Sequence, residues 1–325
     1  MPELQVHGTV MKSVKSDTYL GDVISCDGSN AETIKSRVSK GNGIIAQIKN
    51  MLESVSLGQH YFKIALLLRE SMLINGIITS AETWYGLKER EIDQLADIDH
   101  QFLRFIFEVP QSVPTCALFL ETGSLTLKTI IKMRRVVFLH YLANLKEDEM
   151  LHKFFMAQWE KPLKNNEWTN QVKTDLIDFQ IPVDLEFLKT KSSNAFKNFV
   201  KVKVRKYEYE RLMEIKTVKC KSKMKNLYYS ELKIQEYLEL KEMNARQAKI
   251  LFKFRVRMAP FGENYKGGLD TPPCPLCSSH PDTQSESFQC LKMKKLIDVK
   301  GEYSEIFGIH FPAELINTIE NIYYF

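Results

Sequence analysis

Ile34, Val38, Gly41, Ile45, Ile48, Leu52 and Val55 recur at alternating steps of four and three. At 3.6 residues per turn those steps put all of them on one stripe, so the chain from residue 31 onward forms a long amphipathic helix that must bury one side. Asn30 stands where a helix N-cap is expected. Gly41 inside the stripe weakens the helix by roughly 1 kcal/mol relative to alanine, which fits a position where a neighbour approaches closely. Residues 62–78 are apolar enough for a buried central helix. Ile92, Leu95, Ile98, Phe102 and Phe105 mark another stripe that ends before Pro110, and 125–145 supplies a fourth helix with Arg134 and Arg135 in its middle. The expected fold class is mainly α, a helical bundle over residues 29–160.

Shorter units flank that bundle. Residues 1–28 carry strand signals, Leu4, Val6, Val10 and Val14, then Tyr19 to Ile24, closed by an Asp27-Gly28 turn. Two or three strands leave one apolar face uncovered, so this is expected to be the β remnant of something larger. Pro162, Asn165, Asn166 and Pro182 break the pattern and predict a linker over 161–188. A basic helical segment over 189–259 follows, and 260–325 is expected to form a small zinc-knuckle-like module with a C-terminal tail.

Charge is distributed unevenly. Residues 189–257 hold 20 lysines and arginines against 7 glutamates and no aspartate, while the rest of the chain holds 25 basic and 33 acidic residues. A dense basic segment beside an acidic body suits a polyanion, and RNA or DNA is the expected partner. Lys201, Lys203, Arg205 and Lys206 form the tightest cluster. Either they meet phosphates or they are the solvated face of a helix. Aromatics are interleaved with them, including Phe196, Phe199, Tyr207, Tyr209, Tyr228 and Tyr229. Those rings either stack on bases or form the helices' buried face.

Three of six cysteines crowd near the end, which suits reduced thiols and a metal site better than a disulfide framework, and an intracellular compartment, nucleus or cytoplasm, is the expectation. Cys274-Pro275-Leu276-Cys277 presents two thiolates in one turn and Cys290 offers a third. Zinc favours four nitrogen or sulfur ligands in structural sites. The fourth position falls on Glu286, with His280 as the alternative, so zinc is the one cofactor suggested and its ligand set is incomplete. No apolar run in the first thirty residues has signal-peptide length, and no run is long enough for a membrane span. Phe307, Phe311, Ile319, Tyr323, Tyr324 and Phe325 give the C-terminal tail the aromatic content of a protein-docking segment.

Catalytic constellations are thin. Two-metal polymerases need closely placed aspartates, and the sequence has no adjacent Asp pair; Asp97 and Asp99 are two apart, on different faces of their helix. No P-loop, nucleophile elbow or His-Glu-x-x-His motif is present. A non-catalytic binding role is therefore expected.

Tyr19-Leu20-Gly21-Asp22-Val23-Ile24-Ser25, with Asp27-Gly28, Ile34, Arg37 and Lys40-Gly41 after it, resembles the segment just after the palm in reverse transcriptases of non-LTR, LINE-type retrotransposons. Arg69-Glu70, Ala81-Glu82-Thr83-Trp84-Tyr85-Gly86-Leu87, Leu120-Glu121-Thr122-Gly123 and Arg134-Arg135 resemble the thumb and its following helices. The cysteines at 274, 277 and 290 are similar to the terminal knuckle of such elements, whose histidine falls on Glu286 here. The resemblance implies a thumb that grips primer-template and a C-terminal region that holds RNA or DNA. In the family's order, fingers and palm with the Ala-Asp-Asp metal motif come before this segment. Carried over by position, Arg37, Lys40 and Lys49 would face the duplex backbone or be the solvated side of their helix, Arg134 and Arg135 are phosphate candidates, and Trp84 and Tyr85 are expected to be core.

Overall fold

The computed structural model describes residues 5–6, 9–10, 14–19, 22–54, 58–84, 86–161, 167–220, 224, 227–241, 243–258 and 271–283. It is mainly helical. Four short strands, β1 (Gln5–Val6), β2 (Thr9–Val10), β3 (Ser16–Tyr19) and β4 (Asp22–Ser25), precede α1 (Ala31–Ser54), α2 (Tyr61–Leu68), a π-helical turn (Arg69–Ile74) and α3 (Asn75–Ile77). Then come α4 (Glu89–Phe107), α5 (Thr115–Thr122), α6 (Leu127–Ala143), α7 (Met150–Glu160), α8 (Trp168–Asp178), α9 (Leu185–Lys189), α10 (Ser193–Lys219) and α11 (Ala245–Arg255). The chain forms two compact units built from interleaved stretches, 1–47, 70–99 and 127–204 in the first and 48–69, 100–126 and 205–325 in the second. The sequence suggested consecutive blocks instead, because helix periodicity is local and says nothing about which distant helices pack together.

In the first unit the strands pair as two antiparallel ribbons, β1 with β2 and β3 with β4, the latter registered Ser16 to Ser25 and Tyr19 to Asp22. The turn signal at Asp27-Gly28 is met: Gly28 has a φ of +69°, and the Asp27 carboxylate accepts from the Ser29 amide at 2.9 Å. That bond holds the Asp27 carboxyl below its ordinary range. Thr33 Oγ1 donates to the Val23 carbonyl at 2.6 Å and ties the start of α1 to β4. Gly41 is where the close approach occurs. A Cβ there would lie 2.9 Å from the methyls of both Ile77 and Ile98, so only glycine admits these two side chains against α1.

Helix α6 is the centre of this unit, packed by the turn Ala81–Thr83 and by α7, α8 and α9. Two adjacent arginines on it point apart, as helix geometry requires. Arg134 donates to the Ile78 carbonyl at 2.9 Å and to Asn75 Oδ1 at 2.5 Å, whereas Arg135 donates to Asp175 Oδ2 at 2.8 Å on α8. Lys132 pairs with Asp178 and lies 3.7 Å from Asp175. Burial raises the Asp175 carboxyl above its usual range, and Arg135 and Lys132 oppose that rise without cancelling it. The stretch expected as a linker is thus folded over much of its length: Val172, Leu176 and Leu188 are buried, and Trp168 Nε1 donates to the Glu82 carbonyl at 2.7 Å. Pro182 marks the turn between α8 and α9, and Pro162, Asn165 and Asn166 lie outside the described residues. Trp84 is buried as expected of a core residue; Tyr85 lies outside the described residues.

The second unit is packed by aromatic rings and by a buried ionic cluster on α5. Phe107 stacks on Phe252 at 4.0 Å and meets Phe62 at 4.9 Å. Glu121 on α5 is fully buried and accepts from the Tyr229 hydroxyl at 2.6 Å and from Arg255 Nε at 2.9 Å. Burial and the Glu121 charge together push the Tyr229 hydroxyl well above its ordinary value. Helix α11 begins with a capping box in which Asn244 and Gln247 exchange side-chain and backbone bonds at 2.9 and 3.0 Å. Among the described residues no helix is long and apolar enough to cross a membrane.

Candidate functional site

On α6, Arg134, Phe138 and Tyr141 follow one another at steps of four and three, and so lie on one face, with Leu145 just past the helix end. In the first unit that face lines a cavity of about 690 Å³, completed by Glu82 and by the start of α10, including Lys197 and Lys201. Ser192 precedes α10 and its hydroxyl accepts from the Ala195 amide at 3.4 Å, so the helix begins at the cavity. His140, buried behind, stacks on Phe196 at 4.3 Å and its Nε2 lies 3.0 Å from the Lys191 carbonyl. Phe138 and Tyr141 lie near-parallel, 20° apart with centroids 5.8 Å apart, and Trp168 meets Phe138 edge-on. Tyr141 is 54% exposed.

The cavity's charge is positive. Arg134, Lys191, Lys197 and Lys201 face one carboxylate, Glu82. Burial lowers the Arg134 guanidinium from its ordinary value, an effect that Glu82 opposes. Lys191 holds its ammonium 5.6 and 5.3 Å from the rings of Phe187 and Phe199. Lys197 and Lys201 are exposed, and no carboxylate among the described residues pairs with either. The arrangement combines an aromatic face with two lysines, Lys197 and Lys201, that have no carboxylate partner among the described residues, which suits a flat, anionic ligand.

The structure brings only some of the sequence candidates to this place. Arg134 and Lys201 line the cavity. Lys203 sits 5.8 Å over the Phe199 ring, while Arg205 donates to the Leu232 carbonyl at 2.8 Å and Lys206 lies 3.8 Å from Glu210. The cluster 201–206 therefore splits, since successive helix positions point in different directions. Arg37 is 3% exposed and donates to the Gly76 carbonyl at 3.3 Å, and Arg135 is buried against Asp175, so neither presents its guanidinium to a phosphate outside. Lys40 is exposed, and Lys49 lies 4.7 Å over the Phe105 ring. Phe138, Tyr141, Lys191 and Lys197 were not singled out from the sequence. The signal for one of them, Lys197, is its four-residue step to Lys201; nothing local joins α6 to a helix more than fifty residues later.

At the cysteine turn, Cys274 is buried and its amide donates to the His280 carbonyl at 2.7 Å, while the Ser278 amide donates back to the Cys274 carbonyl at 2.9 Å. Glu286, Cys290 and the aromatic tail lie outside the described residues. Among the described residues no group of three potential metal ligands is assembled, so the expected knuckle module has no support from this geometry. Compared with protein-family models, with curated proteins and with solved structures, the chain finds no match.

Proposed function

We propose that the chain is a non-catalytic nucleic-acid-binding module, in keeping with its resemblance to the thumb and C-terminal region of LINE-type reverse transcriptases. The observation that carries this reading is the pair Lys197 and Lys201, exposed on α10 with no acidic partner among the described residues, within a segment that holds 20 cations against 7 carboxylates. Internal cations in this protein are consistently committed: Arg135 to Asp175, Arg255 to Glu121, Arg211 to Glu208. Cations without such partners are the ones able to exchange small counterions for phosphates, and the release of those counterions drives binding. Arg134 and Lys203 flank them in the same unit.

Equilibrium titration of the full chain with labelled RNA and DNA strands tests the reading. Two to four phosphate contacts to a single strand predict that affinity drops roughly 7- to 50-fold between about 50 and 200 mM salt. Absence of binding to either polymer at the low-salt end overturns it.

A further inference from the structure

We infer that the cavity of the first unit receives one unpaired base of a single strand, stacked on Tyr141, with the flanking phosphates on Lys197 and Lys201. This rests on the nucleic-acid-binding reading and adds which form of the polymer the site selects. At about 690 Å³ the cavity is in the range that encloses a small organic group, about 300–1,000 Å³, not one that grips the outside of a duplex. A base within a duplex has both faces covered by its neighbours. Only an unstacked base offers a π-face to an aromatic side chain. Tyr141 supplies the matching surface: it is 54% exposed, its ring is set near-parallel to Phe138 behind it, and Phe138 is braced by Trp168. Charge complementarity fixes the other half of the ligand. Lys197 and Lys201 stand one helical turn apart, about 6 Å along the axis, on the α10 side of the same cavity. An uncharged apolar occupant would leave these two ammonium groups without a counter-charge.

The test compares two strands of equal length on the full chain, one carrying bases and one wholly abasic, so that the phosphates are constant. Wild type should hold the base-bearing strand roughly 5- to 150-fold more tightly, the range for one stacked base. Tyr141→Ala should lower affinity for the base-bearing strand by that factor and leave the abasic strand unchanged, and Tyr141→Phe should restore wild-type behaviour. Because Tyr141 is more than half exposed, neither change disturbs the core. Ribose and deoxyribose strands should show the same base-dependent step, since ring stacking and ammonium contacts do not read the sugar. Equal affinity of wild type for the two strands, or an unaltered base preference in Tyr141→Ala, overturns base insertion while salt-dependent binding persists. Loss of all binding, to both strands, overturns the underlying reading instead.

Discussion

Arg255 Nε donates to Glu121 Oε1 at 2.9 Å, and the guanidinium lies between two rings, 6.0 Å from Tyr229 and 5.5 Å from Tyr237. Burial alone would lower this guanidinium, but Glu121 and the two tyrosines more than reverse it, so Arg255 stays charged. Removing one member strands the other charge away from water. Glu121→Ala or Arg255→Ala is expected to cost about 3–5 kcal/mol, the usual effect of breaking a buried pair. Urea denaturation measures it; a loss below about 1 kcal/mol would mean the pair is far less desolvated than its burial indicates.

Arg135 and Asp175 form the corresponding pair in the first unit, with side-chain exposures of 9% and 3%. Single changes to alanine should each destabilise by about 3–5 kcal/mol, whereas a joint Arg135→Met, Asp175→Leu change should be close to neutral, because both desolvation costs vanish together. Additive losses in the double variant would contradict this.

Gly123 follows α5 with a φ of +61°, and a Cβ at this position would lie 2.3 Å from the backbone of Lys233 and Ile234. Strain and clash combine here. Gly123→Ala should lower stability by more than about 1 kcal/mol, seen as a shifted denaturation midpoint, and an unshifted midpoint would argue against this close approach.

Cys116 lies with its sulfur 3.6 Å from Cys220, and burial, then the Cys220 sulfur, push its thiol from 9.0 up to about 12. In that window the folded chain keeps a proton that the unfolded chain releases. Stability from this group is therefore full below pH 9.0 and is lost as pH rises toward 12. At neutral pH an alkylating reagent should label exposed Cys26 and leave Cys116 unmodified until the chain unfolds. Equal labelling rates in the folded chain would contradict the burial.

If Cys274, Cys277, Cys290 and Glu286 form the zinc site that the resemblance implies, the chain is expected to hold at most one zinc, more loosely than a knuckle with four nitrogen and sulfur ligands does. Chelator competition should show tighter binding in Glu286→His. No tightening, together with loss of zinc in His280→Ala, would transfer the fourth ligand to His280.

The helices were legible because amphipathic stripes are local: the stripe through Ile34, Ile45 and Leu52 appears as α1, with Gly41 at its close contact. Long-range partners were not. Glu121 belongs to a recognisable Leu-Glu-Thr-Gly string, yet what its carboxylate does is decided by Tyr229 and Arg255, more than a hundred residues later. The cavity has the same character. Arg134 was visible as a basic residue on a helix, but its neighbours on α10 come from a separate stretch of chain, and nothing local set Tyr141 apart on a mostly apolar helix. The charge run 201–206 suggested one surface, although its members have different partners once the helix is built.

If Lys197 and Lys201 bind phosphates, affinity depends on salt. Log affinity for a labelled single strand should fall linearly with log salt, and reversing both charges in Lys197→Glu, Lys201→Glu should reduce the slope by about 1.4, or about 0.7 per lost contact. Both residues are exposed, so the fold is expected to tolerate the change. A wild-type affinity indifferent to salt, or a double variant with an unchanged slope, would show that Lys197 and Lys201 do not meet phosphates.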